Sequence, residues 1–290
     1  MIATLAPERC PACEHGDASR NGHQFRRCSH CGLLFSDMRA ADADWYQNSW
    51  IYRGHPLPRP LATETILQNW AWNEFLSHAP IQERASLLDV GCGVGHFLHA
   101  AKSRGFEAEG IDFNSQLATL ARDVYGLQVT CEDLASYVER ERTFDYMTAF
   151  EVLEHVSNPV DLLSSMARMG RFVALSVPCA ERRPALFCRD IDAPPHHLTL
   201  WTKNALSEAL ARAGLTPLYM SGESYAPKHL GIYLASLMAG NYPLKRYVEV
   251  LAKRTGLALG SMMKGDDAAP FTLFVLAESE RAHDRRGTGR

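Results

Sequence analysis

From residue 86 onward the chain alternates short apolar runs with longer stretches whose apolar positions recur every three or four residues. The short runs predict strands near 86–91, 107–112, 127–131, 143–149 and 171–177. The stretches between them predict helices near 95–104, 114–125, 133–140 and 159–168. Strand and helix in regular alternation, joined by short loops, form a mostly parallel sheet covered on both faces. A further helix is predicted at 203–213, ended by Gly214, because a residue without Cβ accepts the left-handed turn of a helix end. Strands follow near 215–221 and at "FTLFVLA", residues 271–277. Upstream, 62–78 has helical spacing, with Thr63 a candidate cap and Leu67, Trp70 and Phe75 on core-facing positions. Residues 226–265 read as mostly helical and apolar, the tail from 281 as disordered, and no internal repeat is visible.

The first 40 or so residues lack any long apolar period. They carry two pairs, Cys10-x-x-Cys13 and Cys28-x-x-Cys31, with 14 residues between them. Asn21-Gly22 is a strong turn signal between short strands. Four cysteines in two C-x-x-C pairs fit a structural metal better than a disulfide framework, which belongs to short secreted chains. Four thiolates close a tetrahedral zinc site and leave no position for catalysis. Such a metal holds together a segment too small for a core of its own. Residues 41–60 are aromatic and rich in proline and read as a connector. The expected organisation is a zinc ribbon over 1–42, connector and N-terminal helices over 43–85, one α/β domain over 86–280 with a helical insert at about 226–268, and the tail.

Composition narrows the function classes. The 290 residues are 46% apolar with a formal net charge of −3, which supports a sizeable core and gives no bulk attraction to polyanions. Between Glu8 and Arg39 five arginines face four acids, a weak electrostatic footprint. Nucleic acid is therefore not the expected partner. No basic-then-apolar start and no apolar run near the roughly 18 residues of a membrane span are present. The expectation is a cytoplasmic protein with a small-molecule acceptor.

"SLLDVGCGVGHFLHAA", residues 86–101, joins a buried strand to a helix through a glycine turn. In the dinucleotide fingerprint the glycines run G-x-G-x-x-G. Here they are Gly91, Gly93 and Gly95, and His96 stands where the third is expected. Asp89 at the strand end repels a pyrophosphate and suits a cation. S-adenosylmethionine, with a sulfonium, an ammonium and no phosphate, meets that demand. Asp112, 23 residues after Asp89, is placed to accept hydrogen bonds from two ribose hydroxyls. Asp133 or Glu132, at the next strand end, is placed for an adenine amino group. Three successive strand ends thus carry acids where ligands of such sheets bind.

"LLDVGCGVG", "GIDFN", "CEDL" and "FDYMTAFEVLEHV", in this order and spacing, resemble the successive motifs of class I S-adenosylmethionine-dependent methyltransferases. The resemblance covers roughly residues 60–220, and "PFTLFVLAE" fits the family's last, antiparallel strand. It implies a Rossmann-like seven-stranded sheet with helices on both faces. It implies Gly91, Gly93 and Gly95 against the methionine part of the cofactor, Asp112 with Phe113 at the ribose and its surroundings, Asp133 with Leu134 near adenine, and Glu151 at the cofactor's edge. The cysteine unit is also similar to ribbons fused in front of some small-molecule and sugar methyltransferases.

For catalysis, "EVLEHV" places Glu151, Glu154 and His155 on one face if the stretch is helical. It is similar to a stretch in the O-methyltransferases of ubiquinone biosynthesis, where acids and histidine are linked to a metal. A second divalent cation at Glu151, Glu154 and His155 is one reading; the same residues as a metal-free floor of the site are the other, and the preferred one. His155 is a candidate general base, with its pKa raised by the two acids. "DAPPHHLTLWTK" resembles the family segment in which a histidine-leucine pair precedes an aromatic and a helix cap. His197, Trp201 and Thr202 take those places, which makes His197 the second candidate base. The insert is expected to pack on the sheet edge or to make a dimer contact, with an acceptor lid built with Trp70, Trp72 and Tyr225 as the other reading. Methyl transfer to a small acceptor, by O-methylation or by C-methylation of a sugar or polyketide-like compound, is the leading expectation. An RNA methyltransferase with a basic face at Arg26 and Arg27, and a non-catalytic cofactor-binding domain, are the rivals.

Overall fold

A computed structural model of the chain describes residues 9–21, 24–38, 40–41, 45, 69–80, 84–182, 192–224 and 270–280. The Thr63 cap, the insert at 226–268, Tyr225 and the tail at 281–290 lie outside the described residues.

The cysteine unit contains β1 (Ala18–Asn21), β2 (Phe25–Cys28) and β3 (Leu34–Phe35). α1 (Trp70–His78) follows, capped by the Asn69 side chain, which accepts from Trp72 N. Then come β4 (Ser86–Val90), α2 (His96–Ser103), β5 (Glu107–Ile111), α3 (Ser115–Tyr125), β6 (Val129–Thr130), α4 (Leu134–Val138) and β7 (Phe144–Phe150). A 3-10 turn at Leu153–His155 leads to α5 (Pro159–Met169), whose proline occupies the first turn where no amide is needed. β8 (Gly170–Pro178), β9 (Thr199–Leu200), α6 (Lys203–Arg212), β10 (Leu215–Gly222) and β11 (Thr272–Ser279) complete the described chain.

Seven strands form one sheet in the order β10-β11-β8-β7-β4-β5-β6. β8, β7, β4, β5 and β6 run parallel. β11 is antiparallel to both its neighbours, as the resemblance to the methyltransferases implies. The order reverses between β4 and β7, so their carboxyl ends open a crevice there.

Strand residues alternate between the two faces. Val173, Leu175 and Val177 of β8 join a core with Leu163, Met166, Leu206 and Leu210 of α5 and α6. Phe172 and Ala174 face the opposite way, into a core with Phe75, Phe97, Leu98 and Ala121 of α1, α2 and α3. Phe75 is fully buried and meets the rings of Phe97, Phe106, Tyr146 and Phe150. Truncating it to alanine is expected to cost about 3–5 kcal/mol.

The pattern did not predict the second sheet. It has the order β1-β2-β3-β9. Its last strand comes from a segment more than 160 residues away: Leu34 pairs with Leu200 and Phe35 with Thr199. Cys10, Cys28, Cys31, Leu33 and Phe35 belong to the same buried cluster as Trp201 and Leu206. The cysteine unit therefore draws its core from the large sheet's α5/α6 face.

Candidate active site

The glycine turn is built by sterics at two positions and left open at a third. Gly91 has φ +68°, and a Cβ there would lie 2.6 Å from Val152 Cγ2. Gly95 has φ +80°, and a Cβ there would lie 2.3 Å from Leu127 Cδ1. Gly93 also has positive φ, yet nothing lies within 4 Å of its absent Cβ. That open side faces a cavity of about 220 Å³ lined by Trp72, Asp89, Gly93, His96, Phe97 and Phe150, among others. Trp72 thus enters the cofactor side, rather than only an acceptor lid.

Two buried acids sit beneath this turn. Asp89 accepts from Thr148 Oγ1 at 2.6 Å. Burial pushes its carboxyl up to about 7; the Thr148 bond opposes this and the nearby Asp112 charge adds to it. A cationic ligand in the cavity stabilises the anionic form. Asp112 accepts from Gly93 N through Oδ2 and from Asn114 N through Oδ1, both at 2.8 Å. Burial raises its pKa and these two bonds counter the rise. Each oxygen keeps a second lone pair for a ligand hydroxyl. Phe113, next along, is 42% exposed. Asp133 is exposed and spends its side chain on the cap of α4, accepting from Ser136 N at 2.8 Å. Leu134 is buried at the start of that helix.

Past the end of β7 the structure departs from the helical expectation. Glu151 has φ +55°, and only Leu153–His155 forms a short 3-10 turn. The three side chains of "EVLEHV" therefore do not share a helix face. Glu151 accepts from Ser176 Oγ at 2.7 Å, Glu154 is fully buried, and His155 Nε2 lies 4.0 Å from Glu154 Oε1. The carboxylate pair and His155 do not form the donor set expected for a second cation. Among the described residues, the groups with metal-ligand proximity are the four cysteines and His155 with His196 and His197.

These imidazoles form a cluster with ring centroids 4.6–4.8 Å apart. His155 Nδ1 donates to His196 O at 2.6 Å, which leaves Nε2 with the lone pair of the neutral ring. Burial, then the adjacent His197 and His196, push His155 well below the ordinary histidine range. This corrects the expectation that two acids would raise it. Burial raises both acids, and the Glu151 charge helps to lift Glu154 well above the carboxylate range. His197 differs. Its Nδ1 lies 3.4 Å from Asp192 Oδ1, and Asp192 also pairs with Arg182, all three buried. Burial opposes the Asp192 charge, but the adjacent His197 ring and the Arg182 charge overcome it and hold the carboxyl low. A carboxylate behind an imidazole fixes its tautomer and its orientation. Sequence reasoning missed Asp192, Arg182, His196 as a cluster member, and Trp45, whose ring stacks on His196 at 5.7 Å. Asp192 stood four residues before His196, inside the motif already singled out.

At the cysteines, Sγ atoms of Cys10 and Cys31 are 3.5 Å apart and those of Cys13 and Cys28 are 3.6 Å apart. Tetrahedral zinc with bonds near 2.3 Å places sulfurs about 3.8 Å apart, so the donor set fits the ion. The Cys31 thiol, bonding to the Cys10 sulfur, pulls Cys10 down to about 5, into the thiolate range. Arg26, one of two arginines on which an RNA face would depend, pairs with Asp37 at 3.4 Å and lies over the Phe35 ring. No helix of the described residues is long and apolar enough to cross a membrane.

The family model of the methyltransferase domain matches residues 65–219. A protein of Marinobacter nauticus named ubiquinone biosynthesis O-methyltransferase is 31% identical over 51% of this chain and 72% of its own. One of the same name from Xanthomonas euvesicatoria is 32% identical over 54% of this chain and 74% of its own. A solved SAM-dependent methyltransferase from Archaeoglobus fulgidus superposes with a TM-score of 0.51 at 17% identity, covering 75% of this chain and 95% of that one. The fold is shared with it.

Proposed function

Because the chain belongs to the methyltransferase domain family and is an S-adenosylmethionine-dependent methyltransferase, we propose that it methylates an oxygen of a small organic acceptor held at the histidine cluster. The observation that carries this reading is the buried His197–Asp192 pair past the carboxyl ends of β7 and β8. A hydroxyl acceptor must lose a proton as it is methylated, and this pair is the group built to take it. The names of the two relatives point to the same chemistry.

The bound cofactor supplies a methyl group on an electron-poor sulfonium. The chain's residues bind and orient. Gly93 offers a backbone surface without a side chain, and Asp89 offers negative charge under a cationic ligand. Asp112 accepts ribose hydroxyls, while Phe113 and Leu134 flank the base. Asp133 caps α4 through Oδ1 and keeps Oδ2 for the adenine amino group. Glu151 closes the cofactor's edge toward the acceptor. Glu154 and His155, both held neutral, form a low-charge floor that keeps the acceptor anion from being stabilised before transfer. His197 takes the proton, and Asp192 orients it. The four cysteines hold one structural zinc ion.

Incubation with methyl-labelled S-adenosylmethionine and an extract of the source organism, split into RNA, protein and small-molecule fractions, tests the reading. Label in an alkali-stable, small-molecule ether is expected. Label in RNA or protein, or on carbon, overturns it.

A further inference from the structure

The peptide at Leu198 sits between two otherwise separate parts of the molecule. Its N–H donates to Glu154 O at 2.7 Å, on the turn that carries His155. Its carbonyl accepts from Ser36 N at 2.8 Å, on the strand that follows the second cysteine pair. His196 and His197 immediately precede it. Beyond it, β9 continues the pairing with β3, and Thr202 Oγ1 donates to Cys31 O at 2.6 Å in a buried contact. Arg212 adds a hydrogen bond to Ala12 O at 2.8 Å, inside the first cysteine loop. The segment from His196 to Thr202 is thus tied to the second cysteine loop and to β3, and α6 behind it is tied to the first loop.

We propose that the metal-held cysteine unit is the positioning device for His196 and His197. The reading rests on the function proposed above for its importance, though its test does not. A unit of about 30 residues with three two- to four-residue strands has no core of its own to keep β3 in place. Held by its metal, it presents a fixed row of amides. β9, only two residues long, adopts strand geometry by adding to that row. The imidazoles one and two residues before Leu198 take their place from this register, since a strand shifted by one residue turns every side chain to the other face. Cys10, Cys13, Cys28, Cys31 and Ser36 are therefore positioning residues. None of them touches the reacting atoms.

The experiment uses the full chain loaded with S-adenosylhomocysteine and ¹⁵N-labelled histidine, with imidazole resonances read by NMR. Two perturbations are compared. In Ser36→Pro the amide that donates to Leu198 O is lost and all four cysteines remain. Ser36→Ala is its control: it keeps that amide and loses only the bond from Met38 N to Ser36 Oγ. In the second perturbation the wild-type zinc is removed with a chelator. The expected result is that Ser36→Pro and zinc removal both shift the His196 and His197 resonances, while His99, on α2, stays within line width. Ser36→Ala is expected to match the wild type. Zinc content of one per chain in both Ser36 variants, and cofactor-product affinity within about twofold of wild type, are expected alongside. Unchanged His196 and His197 signals in either perturbation overturn the proposal. So does loss of S-adenosylhomocysteine binding, which means the unit supports the whole fold. A shift in Ser36→Pro only when its zinc is lost overturns the role given to the amide. Failure to find an ether product in the labelling experiment leaves these signals unaffected, so the two readings fail separately.

Discussion

The two sides of the site are made in opposite ways. The cofactor side is local: Asp89, the glycine turn and the start of α2 lie within ten residues, and Asp112 reaches across one neighbouring strand. The acceptor side is assembled from distance. His155 follows β7, Asp192 to His197 precede β9, Trp45 comes from the connector, and Ser36 from the cysteine unit. A site on one strand-turn-helix is as stable as the sheet beneath it. A site pooled from four segments depends on every contact that brings them together.

That contrast can be broken first where the effect is largest. His197→Ala is expected to lower kcat by about 10²–10⁴-fold, the range of a general base, with cofactor Kd unchanged. Steady-state kinetics beside calorimetric titration checks it; equal losses in kcat and cofactor affinity would erase the division between the sides. Asp112→Ala is expected to do the reverse. It removes charge-assisted bonds of about 1.5–3 kcal/mol, so cofactor Kd rises about 10–100-fold while kcat at saturation changes little.

Within the cofactor side, Gly93→Ala and Gly95→Ala separate binding from packing. Both force a residue with Cβ into left-handed backbone, costing about 1–2 kcal/mol. Only Gly95→Ala also drives a methyl into Leu127, adding about 1–3 kcal/mol. Calorimetric melting is expected to show the larger drop for Gly95→Ala, and titration the larger loss of cofactor affinity for Gly93→Ala. The smallest effect is one of pH. The Asp89 carboxyl is neutral below about 7 and anionic above it, and a cationic ligand binds the anion better. Cofactor Kd is expected to fall about fivefold from pH 6 to pH 7 and about tenfold by pH 8, then to level off. Asp89→Asn flattens that slope.

The same contrast decides what could be read from the sequence. β4, β5, β7, β8, β10, β11 and the intervening helices were legible because buried strands and amphipathic helices write their periods into consecutive residues. Asp89 and the three glycines could be read because they lie on one contiguous turn, and Asp112 because it ends the next strand. "EVLEHV" misled because helical spacing was assumed where Glu151 turns left-handed. The direction of the His155 shift was missed because burial and two neighbouring imidazoles, neither visible in sequence, outweigh adjacent acids. β9 was invisible for a simpler reason: two residues carry no period, and they are a strand only because β3 is there to pair with them. The four cysteines pointed to a metal site but not to the segment such a site would brace.

The shared second sheet also governs what can be cut or exchanged. A chain shortened to begin after residue 42 would uncover Leu200 and Trp201, both fully buried here, and leave β9 as a bare edge open to another chain. Such a truncation is expected to aggregate rather than yield a smaller working enzyme. A graft of the first 42 residues onto a related domain would need to carry residues 196–206 with it. The natural unit of exchange runs through space, with two ends far apart in the chain, and a cut placed by sequence alone would pass through its middle.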